Sequence, residues 1–302
     1  MSLRNTLLTS MTFACLIISA ACLHADAPVV KIHDGRHWTW YAQEDQYQAH
    51  KADIEAVYDY ADRAFDALVA AWGMSPPNPT YALFVYPKPG GGFATGDIGE
   101  VHAVTAAPSP GIGCSFDAFF NVANGIKGYW APVLITHEMV NLFTGNVVSG
   151  GWPVDWWADH VSPFPLMTAV QIEDQLRPDV AVFHAQQLSG PLEKMFVRLK
   201  DQFGWSLFRR AFSYAKADGI NWDSIGENPS SLRTNYVCAY LQLGAPEDLR
   251  PYFQGVVPGF KADDMDDILA ARRAMNRLAE NDPARADLRD AFLHGRYASR
   301  SR

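Results

Sequence analysis

The chain has 302 residues, of which 48% are hydrophobic and 19% charged, so it can bury a substantial core and is not intrinsically disordered. Its formal net charge is -8, and it has no run of lysine or arginine that could bind nucleic-acid phosphates. Both features argue against a nucleic-acid-binding protein. The length allows one large domain or two smaller ones.

Residues 1–27 are predicted to be a signal peptide. Arg4 gives a positive start, and residues 7–22 are uncharged, mostly apolar and too short to favour a stable membrane span. Two processing patterns stay open. Ala25-Asp26-Ala27 fits the small-x-small rule for cleavage, whereas Ser19-Ala20-Ala21-Cys22 resembles a bacterial lipobox and would put a lipid anchor on Cys22. Both patterns predict a secreted or periplasmic protein.

Two cysteines, Cys114 and Cys238, lie beyond the predicted signal region. An oxidising compartment permits a disulfide between them, and two buried free thiols fit the sequence almost equally well.

The first half of the mature chain mixes strand and helix signals. Val29 to Ala42 is rich in β-formers and predicts a strand or hairpin, and Ala52 to Trp72 has apolar residues at helical spacing. Gly73 is expected to end that helix. Tyr81 to Tyr86 predicts a buried strand, and the glycine-rich stretch from Gly90 to Gly96 predicts a flexible loop. A further strand is expected near residues 101–106.

Helical signals dominate from residue 131 onward. The predicted helices span residues 131–145, 192–203, 205–216, 232–243, 246–253 and 263–278. We therefore expect an α+β protein, with an α/β part over residues 28–150 and a helical part over residues 151–302. A small mixed sheet and a central helix would precede the helical half.

The helix predicted at residues 131–145 carries an H-E-x-x-N motif. His137 and Asn141 are four positions apart and share a face, and Glu138 lies beside them. In the related H-E-x-x-H pattern two imidazoles bind zinc, and the glutamate deprotonates a metal-bound water. Asparagine offers a neutral amide oxygen instead. The site would therefore bind zinc less tightly or prefer a harder ion such as Mn²⁺, Mg²⁺ or Ca²⁺.

A second segment, Trp152-Pro153-Val154-Asp155-Trp156-Trp157-Ala158, follows at a short distance. Together the two segments resemble the gluzincin zinc peptidases, whose second helix reads Trp-x-x-Glu-x-x-Ala. The resemblance implies a gluzincin-like fold with His137 as first metal ligand, Glu138 as general base and Asp155 as third ligand. It also implies that Asp159 orients His137, or that Asp159 is itself the third ligand in place of Asp155.

Other features of the resemblance leave the ligand set open. The spacing of the aminopeptidase-like members points to His160 rather than Asp155, and the two residues are about 140° apart on a helix. Both could serve one ion only if the helix ended between them. Residues 195–210 and 248–253 are similar to later helices of the enhancin-like and aminopeptidase-like members. By the same resemblance Tyr236 would stabilise a tetrahedral oxyanion.

The sequence thus predicts an exported metallopeptidase-like hydrolase that acts on a peptide or protein substrate with Zn²⁺ or a harder divalent ion. The sequence contains no Gly-x-Ser-x-Gly elbow, so it gives no support to a serine hydrolase. The alternative is a catalytically impaired pseudo-peptidase that keeps the cleft and binds a peptide or glycan. Retention of Glu138 favours the enzyme, and loss of an imidazole at Asn141 favours the binding module.

Overall fold

The computed structural model describes residues 28–73, 80–86, 91–95, 111–123, 125–144, 163–220 and 230–295. Within these ranges the chain combines a small mixed sheet, formed by the first half, with helices that make up the rest. The predicted α+β composition is confirmed at this level. The predicted signal peptide, residues 1–27, lies outside the described residues.

Five strands form the main sheet in the order β1-β2-β3-β5-β4. The strands are β1 (Val29–Asp34), β2 (Trp38–Gln43), β3 (Tyr81–Tyr86), β4 (Gly92–Thr95) and β5 (Gly111–Ser115). The central strands β2, β3 and β5 run parallel, and the two outer strands are antiparallel to their neighbours. A short hairpin of β6 (Val122–Ala123) and β7 (Ile126–Lys127) follows. The sheet is mixed because a helical connection joins β2 to β3, whereas a tight turn joins β1 to β2.

Eleven α-helices lie within the described ranges. In chain order they are α1 (Glu44–Glu55), α2 (Tyr58–Trp72), α3 (Trp130–Thr144), α4 (Pro163–Leu176), α5 (Pro178–His184), α6 (Pro191–Phe203), α7 (Trp205–Asp218), α8 (Ser230–Gly244), α9 (Arg250–Phe253), α10 (Ala262–Asn276) and α11 (Pro283–Leu293). Short 3₁₀ turns lie at Phe116–Phe119 and Ala185–Gln187.

Several predicted elements are confirmed to within a few residues. The strand or hairpin predicted from Val29 to Ala42 forms as β1 and β2, and the buried strand at residues 81–86 forms as β3. Gly73 ends α2 with a left-handed backbone, φ 64°, which glycine adopts at little cost. The helices predicted at residues 131–145, 192–203, 205–216, 232–243 and 263–278 are present with shifted ends.

Other predictions were wrong. The helix expected from Ala52 to Trp72 is instead two helices. Helix α1 already begins at Glu44, and the helical conformation is interrupted between Glu55 and Tyr58. The glycine-rich loop contains strand β4, which pairs with β5 along its length. The helix expected at residues 246–253 is confined to Arg250–Phe253. The strand expected near residues 101–106 lies outside the described residues.

The core is built around helix α3. This helix packs against β4 and β5 on one side and against α2 and α4 on others, so it is apolar nearly all round. A continuous set of buried side chains runs from Trp38 in β2 to Phe292 in α11. Cys114 in β5 and Cys238 in α8 both belong to it, and both are buried free thiols. No helix among the described residues is long and apolar enough to cross a membrane.

Candidate active site

Helix α3 presents the H-E-x-x-N motif from inside the protein. Its first turn contains Pro132, which lacks an amide proton and suits that position. Most of its side chains are buried and apolar, and Thr136 and Glu138 are buried polar exceptions that need hydrogen-bond partners. The partners of these two residues fix how the helix sits.

Thr136 ties α3 to α2. Its side-chain oxygen lies 2.8 Å from the hydroxyl oxygen of Tyr60 and 3.0 Å from the carbonyl oxygen of Pro132. Because the threonine hydroxyl donates to Pro132, the Tyr60 hydroxyl is the donor in the other bond. Both side chains are buried, and burial raises the pKa of Tyr60. The bond to Pro132 lies within α3, whereas the bond to Tyr60 joins α3 to α2 and so opposes rotation of α3 about its axis.

The imidazole of His137 is partly buried and neutral at physiological pH. Removal from water lowers the pKa of His137 to about 4, because burial penalises the charged form. A neutral imidazole carries a free lone pair on one ring nitrogen. The residue therefore meets the electronic requirement for a metal ligand without having to lose a proton first.

Glu138 extends from the same helix toward the edge of the sheet. Its side chain is only 5% exposed, and its Oε2 atom accepts a hydrogen bond from the Nδ2 atom of Asn141 at 3.1 Å. The other carboxylate oxygen lies against Gly92 in β4. A Cβ atom built on Gly92 would stand 2.7 Å from the Glu138 Cγ atom and 2.8 Å from its Oε1 atom. The carboxylate is thus held between its own helix and the edge strand.

The thiol of Cys114 lies close to this carboxylate. Gly92 and Cys114 are directly paired between β4 and β5, so they share the face of the sheet that looks toward α3. Burial and, to a smaller extent, the negative charge of Glu138 raise the pKa of the Cys114 thiol well above its ordinary value. Cys114 is therefore a neutral, apolar neighbour of the candidate site.

Two residues of α3 carry atom types that can bind a metal. The His137 nitrogen suits zinc, and the amide oxygen of Asn141 suits a harder ion. Within the described ranges no group of three or more His, Cys, Asp or Glu side chains could hold an ion. Two donors are fewer than metal sites use. A complete shell needs further ligands, and the predicted candidates Asp155, Asp159 and His160 lie outside the described residues.

Tyr236 has a hydrogen-bond partner in helix α11. It lies in α8, is fully buried, and donates a hydrogen bond from its hydroxyl to the carbonyl oxygen of Phe292 in α11. Its role as an oxyanion donor stays a prediction, and that role would require the hydroxyl to leave Phe292.

A second buried polar pair lies outside the motif. Glu173 in α4 and His184 in α5 are both 0% exposed, and the His184 Nδ1 atom is 2.7 Å from the Glu173 Oε2 atom. The imidazole stacks on Tyr129, with ring centroids 5.8 Å apart, just before α3 begins. Its buried pairing with a single carboxylate is a structural contact.

Sequence reasoning missed Gly92 and Cys114 as neighbours of Glu138. The run of glycines suggested only a loop, and a lone cysteine carries no spacing signal. One signal was present in the sequence: a glycine inside a strand often marks a place where another group approaches the backbone closely. In this protein that group is the carboxylate of Glu138.

No family model, no curated protein and no solved structure matches the chain.

Proposed function

We propose that the protein is an exported hydrolase that cleaves peptide bonds with a metal-activated water, and that it has a gluzincin-like fold. The observation that carries the proposal is the pairing of a neutral His137 with a buried Glu138 on one central helix beneath the edge of a mixed sheet. A metal ligand and a proton acceptor side by side are the minimum that such chemistry needs.

The chain's own residues have distinct tasks in this proposal. His137 would bind Zn²⁺ or a harder divalent ion, with Asn141 and either Asp155 or His160 completing the shell. When bound, such an ion lowers the pKa of a coordinated water and polarises a carbonyl oxygen. Glu138 accepts the proton of the attacking water and passes it to the leaving amine. Burial of its carboxylate keeps bulk water away from that transfer.

The sheet supports a peptide as the substrate class. Strand β4 is an outer strand, and no other strand of the described ranges pairs with its free side. It lies directly against Glu138 through Gly92. An extended peptide can add to such an edge by main-chain hydrogen bonds, which would place its backbone near the candidate base.

A second candidate function rests on Asn141. Its side-chain amide donates to Glu138, whereas an active site of the H-E-x-x-H type has an imidazole metal ligand at this position. A pseudo-peptidase that binds a peptide or glycan would have no use for that ligand. Export follows in both cases from the predicted signal peptide, and a lipid anchor at Cys22 is compatible with both.

Metal analysis of the full mature protein tests whether it is the metal-dependent hydrolase or the pseudo-peptidase. We expect close to one equivalent of metal in protein purified without added ions, and its loss in His137→Ala. Glu138→Gln should keep the metal and lose cleavage of a mixed peptide library. Metal found only in Asn141→His would shift the assignment to the binding module. Absence of metal in both proteins, with no gain in thermal stability on adding Zn²⁺ or Mn²⁺, would rule out the metal site.

A further inference from the structure

The side chain of Glu138 is restrained from two directions. Asn141, three positions later on α3, donates from Nδ2 to Oε2 at 3.1 Å, which fixes the rotation of the carboxylate about its last bond. On the opposite side, Oε1 and Cγ lie where the side chain of residue 92 would be if that residue were not glycine. Very little of Glu138 reaches solvent, so few other positions are open to its carboxylate.

The absence of a side chain at position 92 is a requirement of this packing. A Cβ atom there would also stand 2.8 Å from the carbonyl oxygen of Gly113, which belongs to the neighbouring strand and cannot move freely. Glycine inside a strand is otherwise unfavourable, because it loses the most backbone entropy and has no side chain to pack. Gly92 therefore costs β4 some stability and leaves room for the carboxylate.

We infer that Asn141 and Gly92 are positioning residues for Glu138. Asn141 supplies an uncharged donor that does not titrate, and Gly92 supplies the space in which the carboxylate lies. The importance of this arrangement for catalysis rests on the proposed function, but the contacts themselves do not. Asn141 occupies the position that the second histidine has in an H-E-x-x-H motif. Whatever further contact it makes, it donates a hydrogen bond to Glu138, the candidate base.

Reversal of the donor and the acceptor tests the inference without any assay of activity. Asn141→Asp puts a carboxylate beside Glu138, so we expect a lower midpoint of urea unfolding in the presence of EDTA. Glu138→Gln in the same chain restores a pair with its direction reversed. The loss of stability caused by Asn141→Asp should then shrink. A double-mutant cycle of the two positions should give a coupling of about tenfold in the equilibrium constant of unfolding. Asn276→Asp, at the exposed end of α10, is the matched control and should show no coupling to Glu138→Gln.

A spectroscopic measurement covers the case in which Asn141→Asp does not fold. In protein labelled with ¹⁵N-asparagine, the side-chain amide resonance of Asn141 should be shifted from free asparagine and slow to exchange. Glu138→Gln and Gly92→Ala should each move it, because one changes the acceptor and the other displaces it. Gly190→Ala is the control for Gly92→Ala. The new methyl group there also meets a glutamate oxygen, but one on the flexible side chain of Glu193.

The outcomes separate the positioning role from the proposed function. Coupling between positions 138 and 141 with no metal and no cleavage would keep the positioning role and remove the hydrolase. Zero coupling, together with an Asn141 amide resonance that Glu138→Gln and Gly92→Ala leave unchanged, would overturn the positioning role. A gain of metal affinity in Asn141→Asp without coupling would likewise overturn it and identify position 141 as a metal ligand only.

Discussion

At the scale of single residues, the structure makes His137 an acid-sensitive position. The unfolded chain takes up a proton on a histidine near pH 6.5, whereas the folded chain holds His137 neutral down to a pKa of about 4. Between these values the unfolded state binds more protons, so stability falls as the pH falls. The full contribution is present above pH 6.5 and is lost toward pH 4.

We therefore expect His137→Gln to flatten part of the pH dependence of unfolding. The free energy of unfolding of the wild type, measured by urea titration with EDTA, should drop more steeply from about pH 6.5 to pH 4 than that of the variant, by at most about 3 kcal/mol. His294→Gln, on an exposed histidine of the C-terminal end, is the control. Parallel curves for wild type and His137→Gln would contradict the prediction.

At the scale of elements, the buried pair of Glu173 and His184 joins α4 to α5. Burial raises the pKa of Glu173, and the hydrogen bond from His184 only partly offsets this. The folded chain thus holds the Glu173 proton to a higher pH than the unfolded chain does. The stability contributed by the protonated form is present below the unfolded pKa and is lost as the pH rises through the folded pKa.

The stability of Glu173→Gln should accordingly increase relative to that of the wild type as the pH rises. Glutamine has nearly the same shape and keeps an acceptor for His184, but it has no charge to bury. Thermal unfolding between about pH 4.5 and 7.5 should show the difference in stability moving in favour of the variant. Glu280→Gln, on an exposed side chain, should show no such trend. A variant that loses stability equally at every pH would contradict the prediction.

The elements also show what sequence alone can and cannot provide. Helices with a strong apolar stripe, such as α2 and α6, and those ended by glycine were predictable from spacing and caps. Helix α1 was missed in part because only Tyr47 and Ile54 of its residues are buried. Helix α4 was not predicted. Proline disfavours the interior of a helix, but Pro163 and Pro165 stand in its first turn, where proline is tolerated.

One part of the candidate site was likewise predictable from the sequence, and another part was not. The motif helix and the shared face of His137 and Asn141 follow from local spacing, which the sequence contains in full. The approach of Gly92 to Glu138 is a contact between distant parts of the chain, and a glycine in the sequence does not tell which group approaches it. The pKa of His137 depends on how deeply the folded protein buries it, which spacing does not reveal.

At the scale of the whole molecule, aromatic side chains connect the sheet-bearing half to the helical half. Phe164 at the start of α4 is fully buried and stacks on Trp72 of α2, with ring centroids 5.6 Å apart. It also contacts Phe196 of α6 and Phe208 of α7, at 5.3 Å and 5.2 Å between ring centroids. A single ring in α4 thus joins its own helix to three others.

Phe164→Ala should therefore cost about 3–5 kcal/mol in the free energy of unfolding, because it removes a buried ring and leaves a cavity among rigid neighbours. Phe203→Ala is the matched control. That ring is partly exposed at the border of the core and meets Tyr252 edge-on, at 6.3 Å between ring centroids, so the cost should be clearly smaller. Chemical denaturation of both variants measures the difference. Equal costs would mean that Phe164 does not link the two halves.

The two buried thiols can report separately on the opening of each half. Cys114 lies in the sheet and Cys238 in helix α8, and a thiol-specific reagent reaches a fully buried sulfur only when the surrounding structure opens. Because one continuous set of buried side chains includes both sulfurs, we expect them to react with the same time course at a given denaturant concentration. The protein thus carries, without any engineered label, two internal probes of the cooperativity of its own unfolding.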